Sequence, residues 1–133
     1  MFDAIGTNVL SLPRLVLAHP YPEYETLLAS AFRRRGWDVY LARSGPEARQ
    51  LVHLLDADAA VLHVDLCEES GWLTCDKLSR DGSLAPVVLV GDKRNRRNRE
   101  FAVFVGARAL LDCSEDIVPL IEEMSRLTLP AAS

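Results

Sequence analysis

Two histidines and an aspartate lie at the ends of apolar runs of the sequence, and their side chains are the ones best suited to bind a metal ion or accept a phosphoryl group. His19 follows the run RLVLA, and His63 lies at the end of the run AAVLHV with Asp65 two residues later. Two imidazoles and a carboxylate can bind Zn²⁺ or Ni²⁺, and a histidine or aspartate can accept a phosphoryl group. The simpler interpretation is two polar rings that hydrogen-bond to backbone or water. We prefer it, so neither a metal nor another cofactor is predicted.

A basic segment is the second feature that could bind a ligand. Five of the seven residues from 93 to 99 are cationic, namely Lys93, Arg94, Arg96, Arg97 and Arg99. Such a segment is typical of a solvated, mobile loop, and it could also bind an anion or an acidic protein. Nucleic acid is the least favoured partner, because no aromatic residue interrupts the segment and the chain has a net charge of −4.

The elements that would position these residues alternate five times between strand and helix. Apolar runs over residues 14–18, 37–42, 59–64, 87–90 and 109–111 predict buried strands. Helical spacing follows each run, with the second helix opening at Ser44 and the last predicted to have Asp116 as its N-cap. Five β-α units predict an open, doubly wound parallel sheet with helices on both faces. Functional residues in such sheets gather at the carboxyl ends of the strands.

Length and composition predict one domain. The 133 residues divide into an N-terminal extension (1–12), a domain (13–127) and a tail (128–133). The three cysteines form no CxxC pair, which disfavours a structural zinc site. We find no signal peptide or membrane-spanning run and expect a cytoplasmic protein. None of the motifs GxSxG, HExxH or a Gly-rich phosphate loop occurs, so we predict that the protein is not an enzyme.

The arrangement resembles the receiver domain of two-component response regulators over roughly residues 13 to 127. The segments that carry the resemblance are LVLAHPYPEYETLL, DADAAVLHVDLCEESGW, APVVLVGD and GARALLDCS. The resemblance implies a flavodoxin-like, five-stranded parallel sheet of order 2-1-3-4-5. It also implies that the histidines at the ends of the first and third strands are neighbours.

The family's functional positions carry unsuitable residues in this chain. The acidic pair falls at His19 and Pro20 and the phosphate-accepting aspartate at His63. The hydroxyl, the aromatic switch residue and the phosphate-binding lysine fall at Val90, Leu110 and Cys113. Phosphoryl transfer to a carboxylate needs Mg²⁺, a nucleophilic aspartate and a cation on the phosphoryl group. The resemblance therefore implies a pseudo-receiver, with phosphorylation at Asp65 after a small realignment as a less favoured alternative.

We thus predict a signalling module that works without phosphorylation and acts through protein-protein contacts. The expected partner is a protein of a signalling pathway, with a homodimer as a further possibility and neither membrane nor nucleic acid as a partner. Phe101, Phe104 and Leu110 would lie on the face of the fourth helix, fifth strand and fifth helix that carries such contacts in the family. The alternative is a ligand-sensing domain that binds an anion, a small metabolite or a metal at the degenerate site.

Overall fold

Five strands and five helices alternate along residues 11–128, the part of the chain that the computed structural model describes. The strands are β1 (Arg14–Ala18), β2 (Asp38–Ala42), β3 (Ala59–His63), β4 (Val87–Val90) and β5 (Ala109–Leu111). The helices are α1 (Pro22–Arg34), α2 (Gly45–Leu55), α3 (Gly71–Arg80), α4 (Arg96–Phe104) and α5 (Val118–Thr128). Most of the predicted extension 1–12 and tail 128–133 lies outside the described residues. Within those residues, no helix is long and apolar enough to cross a membrane.

The five strands form one parallel sheet of order β2-β1-β3-β4-β5, as predicted. Strands β3 and β4 are buried along almost their whole length, which explains why the sequence shows continuous apolar runs instead of alternation. The order makes β1 and β3 neighbours. From β1 the chain adds β2 on one side of the sheet and then β3, β4 and β5 on the other side, with all strands parallel. Polar residues that follow these two strands are therefore brought together at the carboxyl edge.

Two hydrophobic cores lie on the two faces of the sheet. Alternate residues of each strand point to opposite faces, so Leu15 and Leu17 of β1 enter one core and Val16 enters the other. The first core packs against α1 and α5, where Phe32 and Leu120 are fully buried. The second core packs against α2, α3 and α4. The helices thus cover both faces of the sheet, as the sequence predicts.

Two helix boundaries differ from the sequence-based expectation. The basic segment is not one loop, because α4 begins at Arg96 and includes three of the five cations. Helix α5 begins at Val118, so Asp116 lies one residue before the N-cap position. Its carboxylate Oδ1 still accepts a hydrogen bond from the Val118 N–H at 2.9 Å, which satisfies one free donor of the helix end.

A glycine allows α3 to begin directly against the end of β3. The Gly71 N–H donates to the carbonyl oxygen of Val64 at 3.1 Å. A Cβ atom at position 71 would collide with the carbonyl oxygen of His63 and lie 2.9 Å from its carbonyl carbon. The absence of a side chain at Gly71 is therefore needed to bring α3 against the backbone that carries His63.

Candidate functional site

His19 and His63 meet at the carboxyl edge of the sheet, as the strand order predicts. Their ring centroids lie 4.6 Å apart in an edge-on arrangement, and each residue is partly buried. His63 is the last residue of β3, and His19 directly follows β1. The neighbouring strands thus bring together two imidazoles that are 44 residues apart in the sequence.

Backbone hydrogen bonds fix the protonation pattern of both rings. The Tyr21 N–H donates to His19 Nδ1 at 3.1 Å, and the Asp65 N–H donates to His63 Nδ1 at 3.0 Å. Each Nδ1 atom therefore has no proton of its own, and a neutral ring carries its proton on Nε2. Neither Nε2 atom has a protein partner within residues 11–128.

Burial keeps both imidazoles neutral. Desolvation, followed by the charge of His63, lowers the pKa of His19 to about 4. Desolvation also lowers the pKa of His63, although the nearby Asp65 carboxylate opposes this shift. A metal ion at Nε2 would need the ring proton on Nδ1, which would break the backbone bonds to Tyr21 and Asp65. The residues that the structure describes contain no group of three or more candidate metal ligands.

Two tyrosines extend the imidazole pair into a wall of four rings. Tyr24, from the first turn of α1, stacks on His19 with ring centroids 5.6 Å apart. Tyr21 meets His63 edge-on at 6.0 Å. Neither tyrosine is among the site residues expected from the sequence. The segment HPYPEY that follows β1 could have indicated them, because Pro22 starts α1 and so places both tyrosines beside His19.

Acidic residues form the opposite side of a cleft of about 350 Å³. Asp92 accepts both a side-chain and a backbone hydrogen bond from Arg94, which lowers its pKa to about 2. Asp112 accepts from the hydroxyl and the N–H of Ser114, which lower its pKa as well. Asp65 is exposed at the rim. The carboxyl-edge cleft, as we call it, thus has three carboxylates against one guanidinium.

The remaining predicted site positions offer neither a hydroxyl nor a cation. Val90 is 3% exposed and Cys113 is 6% exposed, and both pack in the core under α1 and α5. Desolvation raises the pKa of the Cys113 thiol to about 11, so it stays protonated at neutral pH. Gly91, the next residue after β4, lines the cleft without a side chain, and Pro20 is exposed.

The basic segment is partly neutralised by its own neighbours. Arg94 pairs with Asp92 at 2.9 Å, and Arg96 pairs with Glu100 one helical turn later at 3.0 Å. Arg99 donates to the carbonyl oxygens of Lys93 and Arg94, which holds the loop before α4 but does not cancel its charge. Arg94 is the one member of the segment that lines the cleft.

The predicted interface residues do not share one surface. Leu110 is only 9% exposed and packs in the core on the α2, α3 and α4 side, so its assignment to an exposed interface is wrong. Phe101 and Phe104 are 42% and 75% exposed. Phe101 contacts Trp72 of α3 with ring centroids 5.2 Å apart and stacks on Phe104, so these aromatic residues extend from the α3 side of α4. The short β5 buries Leu110 because a central apolar residue of a covered strand faces a helix.

Comparisons with known proteins agree with this architecture. No family model and no curated protein sequence matches the chain. Among solved structures, the receiver domain of the Francisella response regulator 1452 superimposes with a TM-score of 0.81 at 20% identity, over 86% of this chain and 95% of that one. The beryllofluoride-activated receiver domain of Klebsiella pneumoniae RstA gives a TM-score of 0.79 at 21% identity, over 87% and 99%. The chain has the fold of a response-regulator receiver domain.

A third receiver-fold protein, the chemotaxis protein CheY4 of Vibrio cholerae, gives a TM-score of 0.80 at 13% identity, over 88% of this chain and 99% of that one. The receiver fold thus accounts for nearly all of the residues from β1 to α5. At such low identity the comparison concerns the fold, so the chemistry must be argued from the cleft itself.

Proposed function

We propose that this receiver-fold chain is a signalling module that does not use aspartyl phosphorylation and that transmits its signal through protein-protein contacts. The observation that carries the proposal is the neutral His63 ring at the end of β3, where the receiver resemblance places the phosphate acceptor. Its Nε2 atom bears the ring proton and is therefore not a free nucleophile in this hydrogen-bonding arrangement.

The surroundings of His63 support the same proposal. A phosphoryl group transferred to a carboxylate needs a cation beside it and a divalent ion that neutralises its oxygens. Cys113, at the position of the family's lysine, is a buried and protonated thiol. Asp92 and Asp112 are already hydrogen-bonded to Arg94 and Ser114. Asp65 is therefore the one cleft carboxylate without a side-chain partner in residues 11–128, and it is the aspartate that the phosphorylation experiment must test.

Phosphorylation can be tested directly with small-molecule donors. The protein is incubated with Mg²⁺ and acetyl phosphate, and separately with Mg²⁺ and beryllofluoride, and is followed by intact mass and by ¹H–¹⁵N correlation spectra. We expect no added mass and no specific shifts around His63 and Asp65. A receiver domain known to accept phosphate is run in the same buffer to prove that the donors are active.

A variant distinguishes the two possible acceptors. If the wild-type protein gained a phosphoryl group and Asp65→Asn did not, the chain would be a phospho-accepting receiver that uses Asp65, and the proposal would be overturned. Phosphate retained by Asp65→Asn but lost in His63→Asn would assign the group to His63; that result would leave the exclusion of aspartyl phosphorylation standing but would overturn signalling without phosphorylation.

A second candidate function, ligand sensing, is favoured by the carboxyl-edge cleft. Its three carboxylates oppose an anion, and its four rings favour a neutral or cationic organic molecule. A thermal-shift panel of inorganic phosphate, nucleotides, Zn²⁺, Ni²⁺ and small amines tests this candidate, because a ligand that binds the native state raises the melting temperature. A panel without any shift would remove it.

A further inference from the structure

Helix α4 is attached to the fold by a narrow strip of its surface. Ala102 is the one buried residue among its nine, with Val105 buried at its C-terminal end. Val103 is 77% exposed and Phe104 is 75% exposed. Large apolar side chains on a surface are unremarkable when single, but several together indicate a contact surface.

Three aromatic side chains form a continuous row from α3 onto α4. Trp72 contacts Phe101 at 5.2 Å between ring centroids, and Phe101 stacks against Phe104 at 6.0 Å with an interplanar angle of 14°. We call these three residues the aromatic row. Aromatic side chains are enriched at the centres of protein interfaces because they bury a large area with few rotatable bonds.

Arg97 lies on the same face of α4 as the aromatic row. Residues 97, 101 and 104 are separated by four and three positions, the spacing that aligns side chains on one side of a helix. Arg97 is exposed, and no carboxylate of the described residues pairs with its side chain or with Lys93. The row therefore has an unneutralised cation at its N-terminal end.

The first turn of α4 adds further positive character. Arg96 and Arg97 occupy the first two helical positions, no acidic residue lies in that turn, and Asn95 caps it through the Arg97 N–H. Cations at a helix N-terminus are disfavoured by the helix dipole, so an external carboxylate would relieve this repulsion. Acidic residues in and just before the adjacent α3 do not provide it, since Asp76 pairs with Arg80 and Glu69 with Lys77.

We propose that the aromatic row and the first turn of α4 bind an acidic amphipathic helix of a partner protein. The apolar face of that helix would cover Phe101 and Phe104, and its carboxylates would pair with Arg97 and Lys93. The inference rests on the proposed function in that it names the class of partner through which the module acts. It does not depend on the chemistry of the carboxyl-edge cleft.

The observations favour an acidic protein segment over nucleic acid or a second copy. The Phe101 and Phe104 rings stack on each other, so their facing sides are not open to bases. A second copy would bring two cationic first turns to the same interface if the contact were two-fold symmetric. A short acidic helix satisfies both the apolar and the charged part of the surface.

The test uses a fluorescein-labelled peptide of about 15 residues, long enough for a helix, with Leu at positions i, i+4, i+7 and i+11 and Glu at most other positions. Binding is measured by anisotropy, and the emission of Trp72 gives a second readout. Trp37 is 4% exposed and contributes a constant background. We expect saturable binding that weakens as salt is added, because part of the attraction is between exposed charges.

Matched variants locate the binding surface. Phe104→Ala and Arg97→Glu should each weaken binding by about tenfold or more, as expected for central interface residues. Leu84→Ala removes another exposed apolar side chain, and Arg35→Glu makes the same charge reversal at the residue that follows α1. Both controls should bind within about twofold of wild type, because they lie outside the proposed interface.

Four results would overturn the inference. These are no binding at about 1 mM peptide, equal binding of a peptide with Lys in place of Glu, tighter binding of a single-stranded oligothymidine, and self-association that Phe104→Ala abolishes without any peptide binding. Repeating the titration after acetyl phosphate treatment separates the two proposals. Added phosphate with unchanged peptide binding would contradict only the proposed function.

Discussion

Replacing His19 with asparagine tests the neutral state of the imidazole pair. The pKa of His19 is lowered from 6.5 to about 4 in the folded protein, so the unfolded chain binds more protons between these values. The stability that this group contributes is complete above about pH 6.5 and is lost as the pH falls towards 4. His19→Asn keeps an acceptor for the Tyr21 N–H but cannot titrate in this range.

The size of the effect follows from the two pKa values. A group that titrates at 6.5 unfolded and at about 4 folded would remove about 2 kcal/mol of unfolding free energy between about pH 7.5 and pH 5. His19 is only half-buried and solvent screens part of its desolvation, so we expect about 1 kcal/mol. The depressed carboxylate pKa values act at lower pH and affect both proteins equally.

Two measurements check the prediction. Urea unfolding of wild type and His19→Asn at both pH values should give a difference that grows by about 1 kcal/mol in favour of the variant at the lower pH. An NMR titration of the imidazole protons should place the His19 pKa well below 6. The reasoning is refuted if His19 titrates near 6.5, or if the variant and the wild type lose equal stability on acidification.

Two further predictions concern the backbone at β3 and the buried thiols. Gly71→Ala should lower the unfolding free energy measured in urea by about 2–3 kcal/mol, since the added Cβ would collide with backbone. Gly36→Ala is the control, because Gly36 has φ +95° but no atom within 4 Å of the added Cβ. It should lower the unfolding free energy by only about 1 kcal/mol. A Gly71→Ala loss no larger than this would contradict the close approach. Near neutral pH, a disulfide reagent should label the exposed Cys67 quickly. Cys75 and Cys113 should react only after unfolding, because they are buried and burial raises the pKa of each thiol. Rapid labelling of two thiols in the native protein would refute the burial of Cys75 and Cys113.

The sheet and the histidine pair could be predicted because both follow from local patterns. Runs such as Val87–Val90 are too short and too uniformly apolar for anything but a covered parallel strand. Once the strand order is known, His19 and His63 must be neighbours, because each lies at the carboxyl end of its strand. That the two residues are neighbours needed no information beyond the topology, whereas their 4.6 Å separation did.

The surface of α4 could not be predicted in the same way. Phe101, Ala102, Phe104 and Val105 span a broad apolar arc, and periodicity alone does not say which part of the arc is buried. The short β5 gives α4 a small area to pack on, which Ala102 and Val105 fill. Phe101 and Phe104 are left outside, and only the position of Trp72 on α3 determines which way they face.

Long-range ion pairs were equally hidden from the sequence. His53 of α2 is one example. In the structure its Nε2 lies 2.7 Å from Asp81 Oδ2, and Arg49 binds the same carboxylate through two hydrogen bonds. The partner lies 28 residues away beyond β3 and α3, so no local spacing rule could connect the pair.

Side chains of α4 join the aromatic row to the carboxyl-edge cleft. Asn98 donates to the carbonyl oxygen of Asp92 at 2.9 Å, and Arg99 donates to those of Lys93 and Arg94. The Asp92 and Arg94 side chains in turn line the cleft. Ala102 and Val105 are the buried residues of α4 and its C-terminal end, so these hydrogen bonds are a large part of what positions the first turns of the helix. The backbone of residues 92–94 is therefore shared between the cleft and the start of α4.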